Sequence, residues 1–415
     1  MMADRSVPAV EAIWDPTRPE FRADPYPFYD ALRSHDPVSS TGPDTWVLTR
    51  YRDVAETLRS PLFSRDVEAS AKPSNDPVAQ RRRQRRSGSA KTILNLDPPD
   101  HTRLRRLVTK AFTPSAIERL RPRIQSMVDI ALDTAQQRET LELIEDLAFP
   151  VPFQVISELL DMPTDRADEM RSWSQVLTAS LEPDVDLETF DRTDAVLAEM
   201  IPYLWEIIEQ RRNAPGDDLL SALIAVEEQG DRLDAAEMIA FVLLLYVAGH
   251  ETTVNLIGNG MLALLEHPDQ IELWRSRPDL DERAVDELLR YDGPVQHTVR
   301  IPLEPIDYEH LDGRIVTVEP GDTVLTVLGA ANHDPAVFDD PHRLDLLRPN
   351  SHRHLAFASG IHYCLGASLA RLEASIALGS LIRRFGTIEL LSEPTWRDRL
   401  TIRGVDRMDL RVEPL

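Results

Sequence analysis

The stretch "HLAFASGIHYCLGASLARLEA", His354 to Ala374, decides how this chain is read. It holds Cys364, the only cysteine among 415 residues, with Gly360 and His362 before it and Gly366 after it. The residues that follow, "CLGASLARLEASIALGSLIRRF", place Leu365, Leu369, Leu372 and Ile376 on one stripe of a helix. A thiol where a helix begins meets unpaired backbone N–H groups and the positive end of the helix dipole, and both favour thiolate over thiol. The glycines allow the backbone to pass close to something flat and wide beside the sulfur.

Three roles compete for such a residue. A buried structural thiol is the commonest fate of a lone cysteine. A nucleophile needs a base, and His362 serves only if the turn folds it back. A metal ligand with no second thiolate excludes zinc sites built from two or more cysteines and suits haem iron, where one thiolate can be the sole protein ligand. The cysteine and its helix leave the three open.

The spacing of the whole stretch goes further. Phe357, Gly360, His362, Cys364 and Gly366 form F-x-x-G-x-H-x-C-x-G, which resembles the haem-binding loop of the cytochrome P450 superfamily in its soluble bacterial form. Two positions vary from the family's usual pattern: Ala358 stands where glycine is usual, which stiffens the loop, and His362 stands where many relatives have arginine. The resemblance implies that Cys364 is the iron ligand and that Phe357 shields the sulfur and tunes its hydrogen bonding.

Other segments carry the same resemblance. "YVAGHETTVN" interrupts a strongly apolar helix, Glu237 to Glu266, with polar residues where the core should be, a cost tolerated mainly at sites. It looks like the family's distal helix, with Glu251 and Thr252 as the acid and alcohol that deliver protons to bound dioxygen, and with Ala248 against the haem. "HETTV" lacks the second histidine of a zinc protease helix, and "GNGMLA" lies inside a helix, not after a strand. In "AVDELLRYDGP", Glu287 and Arg290 stand at i, i+3, which alone describes an ordinary solvated ion pair. Together with Arg343 of "DDPHRLDLLRP" they resemble the family's structural Glu/Arg/Arg network, expected to serve folding and haem retention.

The resemblance assigns the haem propionates to His101 and Arg105 in "LDPPDHTRLRRLV", to Arg300 in "HTVRIPL" and to His362, guanidinium groups suiting paired carboxylate oxygens. Arg103 and Arg106, on another face of the same helix, are left to meet an acidic ferredoxin. Substrate is expected against Leu244, Val247 and Ala248, against Val295, Gln296 and His297, and against the loop from Ser64 to Asn95, a length of irregular chain that is usually functional or mobile.

Composition agrees with a soluble globular protein, with 42% hydrophobic and 28% charged residues. A lone cysteine fits a reducing, cytoplasmic setting, and the opening "MMADRSVPAVEAIWDP" lacks the basic and apolar pattern of a signal peptide. The apolar run Met238 to Gly249 is shorter than a membrane span requires. A net charge of −24 argues against nucleic acid as main partner. The basic residues cluster nonetheless, in "RRRQRR", Arg81 to Arg86, and in "HTRLRRLVTK", His101 to Lys110. The first is read as a solvated loop, although such patches can also steer an acidic protein.

Helical periodicity dominates, over about 100–300 and 364–385, and strand-like pieces come from both chain ends ("TWVLTR", "RIVTVEPGDTVLTVLGA", "LTIRGVDRMDLRVEPL"). The fold class expected is mainly α with a small β portion, in one domain over residues 1–415. The resemblance, carried nearly from end to end, implies a monomeric haem b monooxygenase. It would insert one oxygen atom of O2 into an apolar small molecule by hydroxylation or epoxidation. Because no flavin or nicotinamide segment is present, electrons are expected from NAD(P)H through a reductase and a ferredoxin. Competing readings are a peroxide-driven peroxygenase of the same fold, which has less need of Glu251 and Thr252; a haem sensor without turnover, which predicts a blocked sixth site; and a thiol hydrolase, which predicts a colourless protein.

Overall fold

The computed structural model describes residues 13–67, 71–73, 75–87, 91–109, 112–216, 218–225 and 233–415. Most of the N-terminal stretch read for a signal, parts of the Ser64 to Asn95 loop, and Lys110 lie outside the described residues. The helices that position the site are α1 (Pro77–Ser87), α2 (Asp100–Thr109), α3 (Arg121–Arg138), α4 (Pro150–Leu160), α5 (Leu187–Asn213), α6 (Ala235–Glu266), α7 (Asp281–Asp292) and α8 (Ala367–Arg384). The strands are β1 (Val38–Gly42), β2 (Thr45–Leu48), β3 (Phe63–Ser64), β4 (Thr140–Glu142), β5 (His297–Pro302), β6 (Ile306–Glu309), β7 (Ile315–Val318), β8 (Thr323–Val327), β9 (Phe385–Leu390), β10 (Thr395–Trp396), β11 (Val405–Arg407) and β12 (Asp409–Pro414).

The architecture is mainly α with a small β portion, and its sheets tie distant parts of the chain together. The larger sheet runs β1-β2-β8-β5-β3, with β2 and β8 parallel from Thr45 opposite Thr323 to Leu48 opposite Thr326. β8 sits centrally and is buried from Val324 to Val327, as β-branched residues between two neighbouring strands favour. In a second sheet the tail strand β12 lies between β4 and β9.

α6 is the axis of the helical part. Asp234 caps it, its side chain accepting from the Glu237 N–H while the Glu237 carboxylate accepts from the Asp234 N–H, the reciprocal arrangement that fixes a helix start. α6 packs against α4, α7 and α8. At the α4 crossing a Cβ on Gly249 would lie 2.9 Å from Ile156 Cγ1, so only glycine admits this approach. The apolar run expected to be too short for a membrane belongs to a longer helix. Ala235–Glu266 is long and apolar enough to cross a bilayer by length and composition, but 56% of its apolar window is buried inside the protein.

Candidate active site

α8 begins at Ala367, three residues after Cys364, and the loop before it is closed on itself. The Cys364 N–H donates to the Phe357 carbonyl at 3.0 Å. Gly360 has φ +73°, and a Cβ there would lie 2.6 Å from the Leu58 carbonyl oxygen, which explains glycine at this position. Ala358 also lies in the left-handed region, at φ +59°, a conformation that glycine adopts freely and alanine does not. Gly366 has ordinary backbone angles and no atom within reach of an added Cβ; its N–H donates to the Cys364 sulfur.

The Cys364 side chain is accessible, yet protein surrounds it closely enough that burial pushes the thiol pKa up. The Gly366 N–H and the charges of Arg105 and Arg371 oppose that shift. The thiolate preference expected from the helix start is thus present as a hydrogen bond and two charges but is outweighed by desolvation. The Arg371 guanidinium covers the Phe357 ring at 4.7 Å.

Nitrogen donors converge on this loop. The His101 and His362 rings lie 4.4 Å apart. His101 is buried with Nε2 unpartnered among the described residues, and burial followed by Arg105 lowers its pKa. Burial, and then the nearby His101, Arg300, Arg65 and Arg105, push His362 down to about 2. Arg300 is only 3% exposed, donates to the Val299 carbonyl at 2.8 Å, and forms no ion pair among the described residues. Burial lowers its pKa well below the usual arginine value. Arg105, half-buried, likewise forms no ion pair among the described residues, and burial lowers its pKa. Arg65 is the member that sequence reading missed. Its guanidinium donates to Thr298 Oγ1 at 2.8 Å and to the Val299 carbonyl at 2.7 Å, the acceptors that Arg300 also uses.

Along α6, Leu244, Val247, Ala248 and Thr252 are incompletely buried and fall at the spacing of one helix face. Thr252 Oγ1 donates to the Ala248 carbonyl at 3.1 Å. Glu251, one residue earlier, is buried and faces elsewhere, receiving a hydrogen bond from the Arg397 guanidinium.

Several expected residues stand elsewhere. The Arg290 guanidinium donates twice to Glu287, each bond 2.8 Å, with both side chains fully buried, so this is no solvated pair. The second arginine on Glu287 is Arg348, at 3.0 Å; Arg343, the expected one, is exposed and offers its carbonyl to Arg290 and Arg348. Of the three consecutive pocket residues, Val295 is half-buried and bridged to Ile402. Gln296 instead donates to the Gly293 carbonyl at 2.8 Å and to the Tyr26 hydroxyl at 3.3 Å, and the His297 ring stands edge-on to Trp14 at 5.6 Å. Extended chain turns successive side chains to opposite sides, so three in a row do not line one wall. Arg103 is committed to Glu237 at the start of α6 and is not free for a partner protein; Arg106 is exposed. The run Arg81 to Arg86 is part of α1, not a loop, and it docks on α5: Arg81 pairs with Asp191 at 3.1 Å and Asp194 at 2.6 Å, and Arg85 pairs with Asp194 at 2.6 Å. The Arg86 side chain lies outside the described residues.

The donor set fits a haem. Arg105 and Arg300, with no carboxylate paired to them among the described residues, and the orphaned His101 Nε2 answer to a ligand bearing carboxylates, and an accessible sulfur at a helix start answers to iron.

Comparison with known proteins agrees. The cytochrome P450 family matches residues 54–275 and 279–397. The chain is 41% identical to the cytochrome P450 monooxygenase PikC of Streptomyces venezuelae over 94% of this chain and 92% of that one. It is also 41% identical to the vitamin D(3) 25-hydroxylase of Pseudonocardia autotrophica, over 95% of each. Among solved structures, P450BioI in complex with an acyl carrier protein superposes with a TM-score of 0.86 at 34% identity, over 95% of this chain and 99% of that one. The chain belongs to the cytochrome P450 family of haem-iron proteins and is a P450 monooxygenase.

Proposed function

We propose that this monooxygenase binds haem b and hydroxylates or epoxidises a small apolar substrate with electrons that NAD(P)H delivers through a ferredoxin reductase and a ferredoxin. The observation that carries the reading is the accessible Cys364 sulfur beside Arg105 and Arg300, which have no paired carboxylate among the described residues. Cys364 would hold the iron; His101, Arg105, Arg300 and His362, joined by Arg65, would hold the propionates. Haem b supplies the activation of dioxygen, with one oxygen atom passing to the substrate and the other leaving as water at the expense of two electrons and two protons.

The remaining work falls to this chain's residues. Leu244, Val247 and Ala248 give the site an apolar wall that excludes water and fits the named activity of the vitamin D(3) hydroxylase relative. Thr252 presents a hydroxyl at that wall, and Glu251, one residue earlier and paired with Arg397, would relay protons toward it from the other face of α6, a pair suited to stepwise delivery into a water-poor pocket. Glu287, Arg290 and Arg348 stiffen the segment behind the cysteine loop. The chain is read as one domain, since strands from both ends share sheets. The test is the reduced, carbon monoxide-treated absorbance spectrum: the red-shifted Soret band of a thiolate-ligated haem is expected in the wild type and lost in Cys364→Ser. A colourless protein, or an unaltered Cys364→Ser spectrum, overturns the reading.

A further inference from the structure

The hairpin of β10 and β11 lies directly on α6. Thr395 pairs with Arg407 and Trp396 with Val405, and the Arg397 N–H donates to the Gly404 carbonyl at 3.0 Å. A Cβ on Gly404 would lie 2.2 Å from Asn255 Oδ1, so the hairpin backbone touches α6 one turn beyond Glu251, on the same face. The hairpin is itself fixed: the Arg403 guanidinium lies 3.9 Å from the centre of the Trp396 ring, donates to Asp292 at 3.2 Å, and donates to the carbonyls of Arg22 and Ala23. From this base Arg397 spans two carboxylates. One is Glu251, 3% exposed; the other is Asp406, about half exposed and 3.1 Å from Arg397 Nε. Arg399, half-buried on the same segment, adds a second positive charge in the neighbourhood of Glu251. The acid of the acid and alcohol pair is therefore held by an arginine more than a hundred residues away in sequence, on the side of α6 that leads to solvent through Asp406.

We propose that Arg397 is the positioning residue for Glu251. Its guanidinium fixes the carboxylate on the Asp406 side of α6, one residue before Thr252, and so sets the rate at which protons reach the pocket by that side. The proposal rests on the reading of Glu251 as proton donor. It assigns Arg397 no contact with substrate or cofactor.

The test uses the haem-loaded full chain with spinach ferredoxin and its reductase as electron source, following NADPH-driven dioxygen consumption in H2O and D2O. Wild type is compared with Glu251→Gln, Arg397→Gln, Arg397→Lys and the Glu251→Gln/Arg397→Gln double variant. Each is first checked for the carbon monoxide spectrum. Expected for Arg397→Gln are a maximal rate lower by roughly tenfold, an unchanged KM for ferredoxin and a larger solvent isotope effect. Arg397→Lys should fall between wild type and Arg397→Gln, since a lysine cannot serve two carboxylates as a planar guanidinium does. In the Glu251→Gln background the arginine substitution should add nothing, because two residues acting as one unit are non-additive. A wild-type rate and isotope effect in Arg397→Gln, with Glu251→Gln slow, overturns the proposal alone; a wild-type Glu251→Gln overturns the reading of Glu251 and the proposal with it. Should Arg397→Gln fail to hold haem, Arg397→Lys decides, and a wild-type rate there overturns the proposal.

Discussion

Arg348 Nε donates to Glu287 Oε1 at 3.0 Å while Arg290 donates to both oxygens of the same carboxylate. The Arg348 guanidinium also reaches the carbonyls of Asp339, Asp340 and Arg343, so it ties the irregular segment behind the cysteine loop to α7. Removing it leaves a fully buried carboxylate with Arg290 alone and takes a donor from the carbonyls of Asp339 and Asp340, a class of change that costs about 1–3 kcal/mol. Arg348→Ala is expected to lower the unfolding temperature by several degrees and to reduce haem content on purification. Arg343→Ala, which removes an exposed side chain and keeps the carbonyl, should match wild type in both measurements.

The docking of α1 on α5 depends on charge. α1 reads "PVAQRRRQRRS", with Val78 and Ala79 the only aliphatic side chains before the arginines, so apolar burial contributes little to holding it. Asp194 meets both Arg81 and Arg85, and the Arg85 guanidinium also lies over the Phe190 ring at 5.1 Å. Exposed ion pairs contribute up to about 1 kcal/mol each and are screened at high salt. Limited trypsin digestion should cut within Arg81 to Arg85 faster in Asp194→Asn than in wild type, and added salt should accelerate the wild type toward the variant. Equal rates that ignore salt would show that other contacts hold the helix.

The cysteine loop and the Glu287–Arg290 pair were legible in the sequence because both are local: fixed spacings on one loop and on one helix face determine where those side chains go. Arg348 was not, because it follows irregular chain in which Asp340 has φ +45°, and spacing in such a segment does not set which of two arginines turns inward. Arg65 and Arg397 reach the site from distant turns and a hairpin, positions that no periodic pattern marks. α1 carries no apolar stripe, and the carboxylates that fix it lie on a helix about a hundred residues later. The departure at Ala358 was visible, but its consequence waited for a backbone angle.

That angle gives a further prediction. Ala358 is held at φ +59° with its N–H donating to the Leu355 carbonyl at 2.8 Å. A non-glycine residue in this region costs about 1 kcal/mol or more, and glycine gives back part of that gain through its freer unfolded chain. Ala358→Gly is expected to raise the unfolding temperature slightly, by about 1–2 °C, with the carbon monoxide spectrum unchanged. A lower temperature would mean that the alanine methyl group contributes packing that outweighs the strain.

His297 sets an acid limit on stability. It is buried against Trp14, its Nδ1 has no partner among the described residues, and burial, assisted by the Arg82 charge, pushes its pKa down to about 4. The folded state thus disfavours the protonated ring. Stability from this residue is present above the ordinary histidine value of 6.5 and is lost as pH falls from there through about 4, where the unfolded chain binds a proton that the folded chain refuses. The full effect across that window is about 3 kcal/mol. His297→Phe keeps an aromatic ring against Trp14 and cannot be protonated. Denaturant unfolding at pH 7 and pH 5 should show a smaller loss of stability on acidification in His297→Phe than in wild type. An equal loss would mean that His297 is already protonated in the folded protein at pH 5 and that the acid sensitivity comes from other groups.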